Sequence, residues 1–136
     1  LTELAPYDVI LIDGSDPVGP AEGLFNASFY AACAARLAPH GALVTQAESP
    51  LLHLDVHLDM IRTIDRAVGY AKPYYGPVMI YPSGAWSWIF ASRTVNPFAI
   101  VDARAERIEA TSQIYNRELH RAAFAQPNYI KRALAR

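Results

Sequence analysis

The apolar positions of this 136-residue chain fall into short runs divided by turn residues, and the period of the runs changes along the chain. Val9-Ile10-Leu11-Ile12 closes a run from Tyr7 that follows Pro6, a pattern that predicts a strand covered on both faces. Asp13 to Gly23 holds three Gly and two Pro and predicts a loop. Asn26 or Ser28 can cap a helix whose apolar side is Phe29, Tyr30, Cys33 and Leu37, ending before Pro39-His40-Gly41. Ala42 to Gln46 predicts a second buried strand, which ends in Glu48-Ser49-Pro50.

Helical spacing returns over about 52–68 through Leu54, Leu58, Ile61, Ile64 and Val68, with Gly69 placed as a stop. An extended segment from Tyr70 to Ile80 leads into the turn Tyr81-Pro82-Ser83-Gly84, whose Pro at the second position fits a type I turn. Trp86 to Ala91 then predicts a strand, with Trp86 and Trp88 on one side and at least one of them in the core. Residues 94–102 look like a connection. Ala103 to about Phe124 predicts one helix through Ile108, Tyr115 and Leu119, and Pro127 separates it from a short helix, Tyr129 to Leu134. Strands alternating with helices predict an α/β layered domain, strand–helix repeats to about residue 93 and a helical segment over about 103–136.

Composition narrows the function classes. The chain is 52% hydrophobic and 18% charged, which describes a globular protein. Its net charge of -1 gives no footprint for a phosphate backbone, so no nucleic-acid partner is expected. No apolar run reaches the roughly 18–20 residues of a bilayer span, and no secretory leader is visible; neither a membrane partner nor secretion is expected, and a cytoplasmic location follows. Leu1 is not an initiator Met, which predicts either upstream residues or processing. Cys33, the single cysteine, cannot form an internal disulfide, and its alanine neighbours predict a small buried thiol. His53 and His57 share i, i+4 spacing, but the Glu of H-E-x-x-H is missing; no metal is expected, and the two read as surface or cap residues.

The chemistry concentrates where the first strand ends. Asp13 and Asp16 lie on the loop beyond it, where ligands of open α/β sheets bind, and two anions with no basic neighbour suit a cationic substrate. Asx-type turns are the plainer account of the same two residues. Gln46 and Glu48 fall at the next strand end, within reach of that cleft, although Glu48 also suits a cap. Trp86 can wall an alkyl chain or cover a cation.

Asp13-Gly14-Ser15-Asp16-Pro17-Val18-Gly19-Pro20, continued by Ala21-Glu22-Gly23-Leu24-Phe25, resembles the signature of the spermidine synthase (polyamine aminopropyltransferase) family. Gln46-Ala47-Glu48-Ser49-Pro50, Leu52-His53-Leu54-Asp55, Tyr81-Pro82-Ser83-Gly84 and His120-Arg121-Ala122-Ala123-Phe124 with Pro127 extend the likeness over nearly all of residues 6–134. Gly14 departs from it, since the family more often carries Ser, Thr or Cys there.

The resemblance implies the later part of a Rossmann-like sheet of the adenosylmethionine-dependent methyltransferase type, a partial catalytic domain. It implies aminopropyl transfer from decarboxylated S-adenosylmethionine, a co-substrate with no resident cofactor, to putrescine, giving spermidine and methylthioadenosine. Cadaverine, agmatine and spermidine stay open as acceptors. By the same resemblance Asp13 is the proton acceptor, Asp16 and Tyr81 hold the diamine, and Pro20 lines the thioadenosine pocket. The family's nucleoside-binding Gly loop and N-terminal β domain have no match here, so the missing N-terminal part of the enzyme is an expected partner, as is a second copy in a homo-oligomer. An inactive polyamine-binding or scaffold fragment of the same fold is the alternative. An ordinary methyltransferase half is disfavoured, because methyl transfer requires neither the paired acids nor the Tyr81 turn.

Overall fold

The computed structural model describes residues 5–14 and 23–135. Four strands form one sheet in the order β1-β2-β4-β3, with β1 Tyr7–Ile12, β2 Leu37–Gln46, β3 Ala71–Pro77 and β4 Ala85–Ala91. β1 and β2 are parallel, joined through helix α1 (Ala27–Ala35), and α2 (Leu54–Val68) leads from β2 to β3. β4 returns antiparallel between β2 and β3, so β1, β2 and β3 all run the same way. This is the later part of a Rossmann-like, methyltransferase-type sheet.

Local chemistry accounts for the boundaries. Asn26 caps α1, its side chain accepting from the Phe29 amide at 2.9 Å. Gly69 ends α2 at φ 92, where a Cβ would be strained, and its amide bonds to the Asp65 carbonyl. Leu37, assigned above to the helix, starts β2 instead, because Pro39-His40-Gly41 is an irregularity inside the strand rather than a loop before it. Gly41 permits this: a Cβ there would lie 2.8 Å from the Tyr7 carbonyl oxygen. Ser92 and Thr94 hydroxyls donate to the carbonyls of Gly41 and Pro39, holding the irregular stretch.

The two faces of the sheet differ. α1 and α2 cover one, where Tyr30, Ala34, Met60, Ile61, Ile64 and Val68 pack on Leu43, Ala71, Ile89 and Ala91. The other carries Leu11, Val44, Phe90, Trp88 and Tyr74 in register. Part of it faces α3 (Asp102–Glu109) and α4 (Arg117–Ala123) across an apolar hollow of about 650 Å³. β1 is therefore not covered on both faces as expected: Val9 is 56% and Leu11 73% exposed. Only one layer of helices reaches it among the described residues. Trp86 and Trp88 share this second face as anticipated, but both are half-buried and neither belongs to the core.

The long helix expected over 103–124 is two helices. Ser112 Oγ accepts from the amides of Ile114 and Tyr115, and Asn116 caps α4 by accepting from Leu119. Arg117 then ties the pair together, pairing with Glu109 and Asp102 at 3.1 Å each. A last helix, α5 (Asn128–Leu134), starts after Pro127 and buries Ile130.

Candidate active site

Because β1, β2 and β3 are co-directional and β4 opposes them, one edge of the sheet collects three strand ends and the start of β4. Asp13-Gly14 follows β1, Gln46 ends β2, Trp86 lies at the head of β4, and Tyr81 sits in the turn before it. Such an edge is where α/β sheets bind ligands.

Gln46 is the hub of that edge. Its Nε2 donates to the Gly14 carbonyl at 3.2 Å and to Glu48 Oε1 at 3.3 Å. Its Oε1 accepts from the Glu48 amide at 3.2 Å and from Trp86 Nε1 at 3.1 Å. All four hydrogen-bonding positions of the amide are thereby taken by protein groups. The Trp86 ring in turn lies 4.2 Å, centroid to centroid, from that of Tyr81. The Tyr81 turn closes as expected, its carbonyl accepting from the Gly84 amide at 2.9 Å, with Gly84 at φ 64.

Glu48 is buried and its backbone is left-handed at φ 62. For a residue with a Cβ this conformation costs on the order of 1–3 kcal/mol and persists only where the surroundings enforce it. Here they do. The Ala47 amide donates to the Ser87 carbonyl, and the Ser87 amide donates to the carbonyl of Glu48. Two residues just past the end of β2 thus face one of β4, the arrangement of a bulge, which re-aims the side chains beside it.

Of the residues singled out from sequence, Gln46, Glu48, Trp86 and Tyr81 are brought together, and Gln46 reaches the carbonyl of Gly14, the residue after Asp13. The Asp13 side chain is exposed at the end of β1. Asp16 and Pro20 lie outside the described residues. His53 is exposed at the N-cap of α2, in keeping with the reading above, but His57 is not a surface residue. It is fully buried beneath the bulge, 3.0 Å from the Ala47 carbonyl through Nδ1. Burial lowers its pKa, so the ring is neutral, while burial raises that of its neighbour Tyr75. The signal was available: position 57 follows Leu54 by three and precedes Ile61 by four, within the buried stripe of α2. Among the described residues no group of three or more His, Cys, Asp or Glu converges as a metal site would require, and no helix is long and apolar enough to cross a membrane.

With this geometry in hand, likeness to known proteins becomes informative. Residues 1–100 match the profile of the spermine/spermidine synthase domain. A polyamine aminopropyltransferase of Prochlorococcus marinus (strain MIT 9313) is 50% identical in an alignment that covers 94% of this chain and 46% of that protein. The namesake from Methylococcus capsulatus is 45% identical, over 93% of this chain and 45% of its own length. A crystallised spermidine synthase in complex with the transition-state analogue AdoDATO superposes with a TM-score of 0.89 at 32% identity, covering 96% of this chain and 45% of that one. Spermidine synthase from Thermotoga maritima gives 0.84 at 31% identity, covering 96% and 44%. The chain spans about half the length of the curated relatives it matches. On these grounds the chain belongs to the spermine/spermidine synthase family.

Proposed function

We propose that this chain supplies the amine-binding side of a polyamine aminopropyltransferase, which moves an aminopropyl group from decarboxylated S-adenosylmethionine to putrescine. The observation that carries the reading is the strand-end cluster of Gln46, Glu48, Trp86 and Tyr81, tied to the carbonyl of Gly14, the residue after Asp13, in a member of this family. In the reaction the amine nitrogen attacks the methylene carbon bound to the sulfonium. The C–N bond forms, the C–S bond breaks, and its electron pair neutralises sulfur to give the thioether methylthioadenosine. One proton leaves the amine.

Asp13 receives that proton in this reading. With an amine near pKa 10.4 and an aspartate near 3.9, the transfer is uphill by about 9 kcal/mol in water. The sulfonium charge and desolvation lower the ammonium pKa. Alignment of nitrogen and carbon supplies much of the remaining acceleration. Asp16 and Tyr81 anchor the far ammonium, at about 1.5–3 kcal/mol for a hydrogen bond to a charged group. Trp86 and Glu48 form the wall that Gln46 holds, and Pro20 lines the thioadenosine pocket.

The nucleoside side of the site comes, in the same proposal, from sequence outside this chain, seated against the open edge of β1. The position of β1 at the end of the strand order supports it. No resident cofactor, a homo-oligomer and a cytoplasmic location complete the reading. Its test is methylthioadenosine release by the complete gene product with putrescine, cadaverine, agmatine and spermidine in turn. Turnover with a diamine is expected. Release with none of them, or methyl transfer instead, overturns the proposal.

A further inference from the structure

Beneath the strand-end cluster runs a buried chain of polar groups that the mechanism above does not use. His57 lies on the apolar face of α2, where both ring nitrogens need partners. Nδ1 is 3.0 Å from the Ala47 carbonyl and 3.0 Å from Ser87 Oγ. A carbonyl only accepts, so Nδ1 carries the proton. The Ser87 hydroxyl shares its own proton between the carbonyls of Ala47 and Glu48, each at 2.7 Å. Nε2 then only accepts, and the Tyr75 hydroxyl shares its one proton between Nε2 at 3.3 Å and Gln126 Oε1 at 2.6 Å. Gln126 is fixed by its Nε2, which donates to the carbonyls of Pro73 and Phe124. The chain therefore leads from the bulge to the segment between α4 and α5.

We infer that His57 is a positioning residue for the candidate site: it holds the bulge carbonyls of Ala47 and Glu48, directly and through Ser87, and so fixes where Gln46 and Glu48 meet the Asp13-Gly14 strand end. Glu48 keeps its left-handed backbone only while its carbonyl is held, by the Ser87 amide and hydroxyl from one side. The carbonyl before it is held by His57 from the other side. The side chains of Gln46, which holds the wall, and Glu48, which is part of it, leave the backbone on either side of Ala47. A shift of those carbonyls therefore moves both side chains, while the apolar core under α2 stays in place. Gln126 and Tyr75 steady the imidazole from behind, which makes the region around Phe124 part of the support of the site.

The inference rests on the aminopropyltransferase reading for its kinetic test and on none of it for its structural one. The experiment compares wild type, His57→Leu, His57→Asn and Ser87→Ala in the complete gene product. Asn places an amide donor where Nδ1 stood. His57→Leu should raise KM for the diamine about tenfold, with kcat changed far less, because a supporting residue governs placement of the groups it holds. His57→Asn should restore most of that loss. Amide hydrogen exchange at Ala47 and Ser87 should quicken in His57→Leu and stay protected in His57→Asn. If His57→Leu does not fold, Ser87→Ala carries the test, with raised KM and faster exchange at Ala47. Unchanged diamine KM and unchanged exchange in a folded variant, or His57→Asn behaving as His57→Leu, overturns the inference. A wild type without aminopropyl transfer sinks the function instead, and the exchange comparison still decides the role of His57.

Discussion

The ends of β1 and β2 lie side by side at one edge of the sheet, yet they are built on opposite principles. Beyond β2, the groups of Gln46, Ala47 and Glu48 are tied by hydrogen bonds into Trp86, Ser87 and His57, and Glu48 is held in a strained backbone. Beyond β1, Asp13 is exposed, and among the described residues a bond from Gln46 to the Gly14 carbonyl joins that end to its neighbour. On the aminopropyltransferase reading proposed above, the contrast separates two tasks. A wall that must fit an alkyl chain is best preorganised, because ordering it on binding would cost affinity. A group that takes a proton from substrate must be reachable by that substrate.

The sharpest way to break this comparison is to exchange the carboxylate of Asp13 for an amide. Asp13→Asn in the complete enzyme should lower kcat by about 10²–10⁴, the usual contribution of a general base. The melting temperature should stay where it is, because the side chain is exposed. Equal kcat, measured by methylthioadenosine release, would move the base elsewhere.

A change on the β2 side should act differently. Trp86→Phe removes the Nε1–H bond to Gln46 but keeps a ring beside Tyr81. A loss of about 0.5–1.5 kcal/mol is expected, near the net worth of one such bond. It should appear as higher diamine KM together with a lower melting temperature, since that wall is part of the folded scaffold. A kcat defect without either change would contradict the division of labour.

The scaffold should also respond to acid. Burial lowers the pKa of His57 in the folded state, and the titratable group touching it, Tyr75, stays neutral because its own pKa is raised. The unfolded chain then binds more protons than the folded one between the folded pKa and about 6.5, so stability rises with pH in that window. It is fully present above about 6.5 and is lost as pH falls toward the folded value. Urea melts across pH 5–7 should show the slope, and His57→Gln should flatten it. An identical slope in that variant would place the titration elsewhere.

How much of this was legible beforehand follows from which physics sets each feature. Strands β1 and β4, helix α2 and the Tyr81 turn were readable because period and turn chemistry are local. The break between α3 and α4 was not, because Ile108, Tyr115 and Leu119 keep a helical rhythm across it while Ser112 and Asn116 act as caps. Leu37 was misassigned because only a long-range fit against Tyr7 lets Gly41 carry the chain within a strand. Gln46, Glu48, Trp86 and Tyr81, which the structure brings together, were all named, yet their connections were not. Gln46 as the shared partner and His57 beneath it depend on which strands pair, and β4 inserts between β2 and β3 out of sequence order.

Gly14 gives the gentlest test of the contrast. Its backbone is not left-handed, so nothing in its conformation demands glycine. A Cβ there would meet Leu24 and Phe25 side-chain carbons at 3.9 Å, ordinary contact. Gly14→Ser should therefore restrict the unfolded chain and stabilise the fold by about 0.4–1 kcal/mol. The Gly14 carbonyl that accepts from Gln46 is unaffected by the side chain, so KM for the diamine should hold. Calorimetry should find a small rise in melting temperature at unchanged turnover. A fall in turnover would mean that the β1 end needs the freedom of glycine at 14, and that the reach of Asp13 depends on backbone motion as well as on exposure.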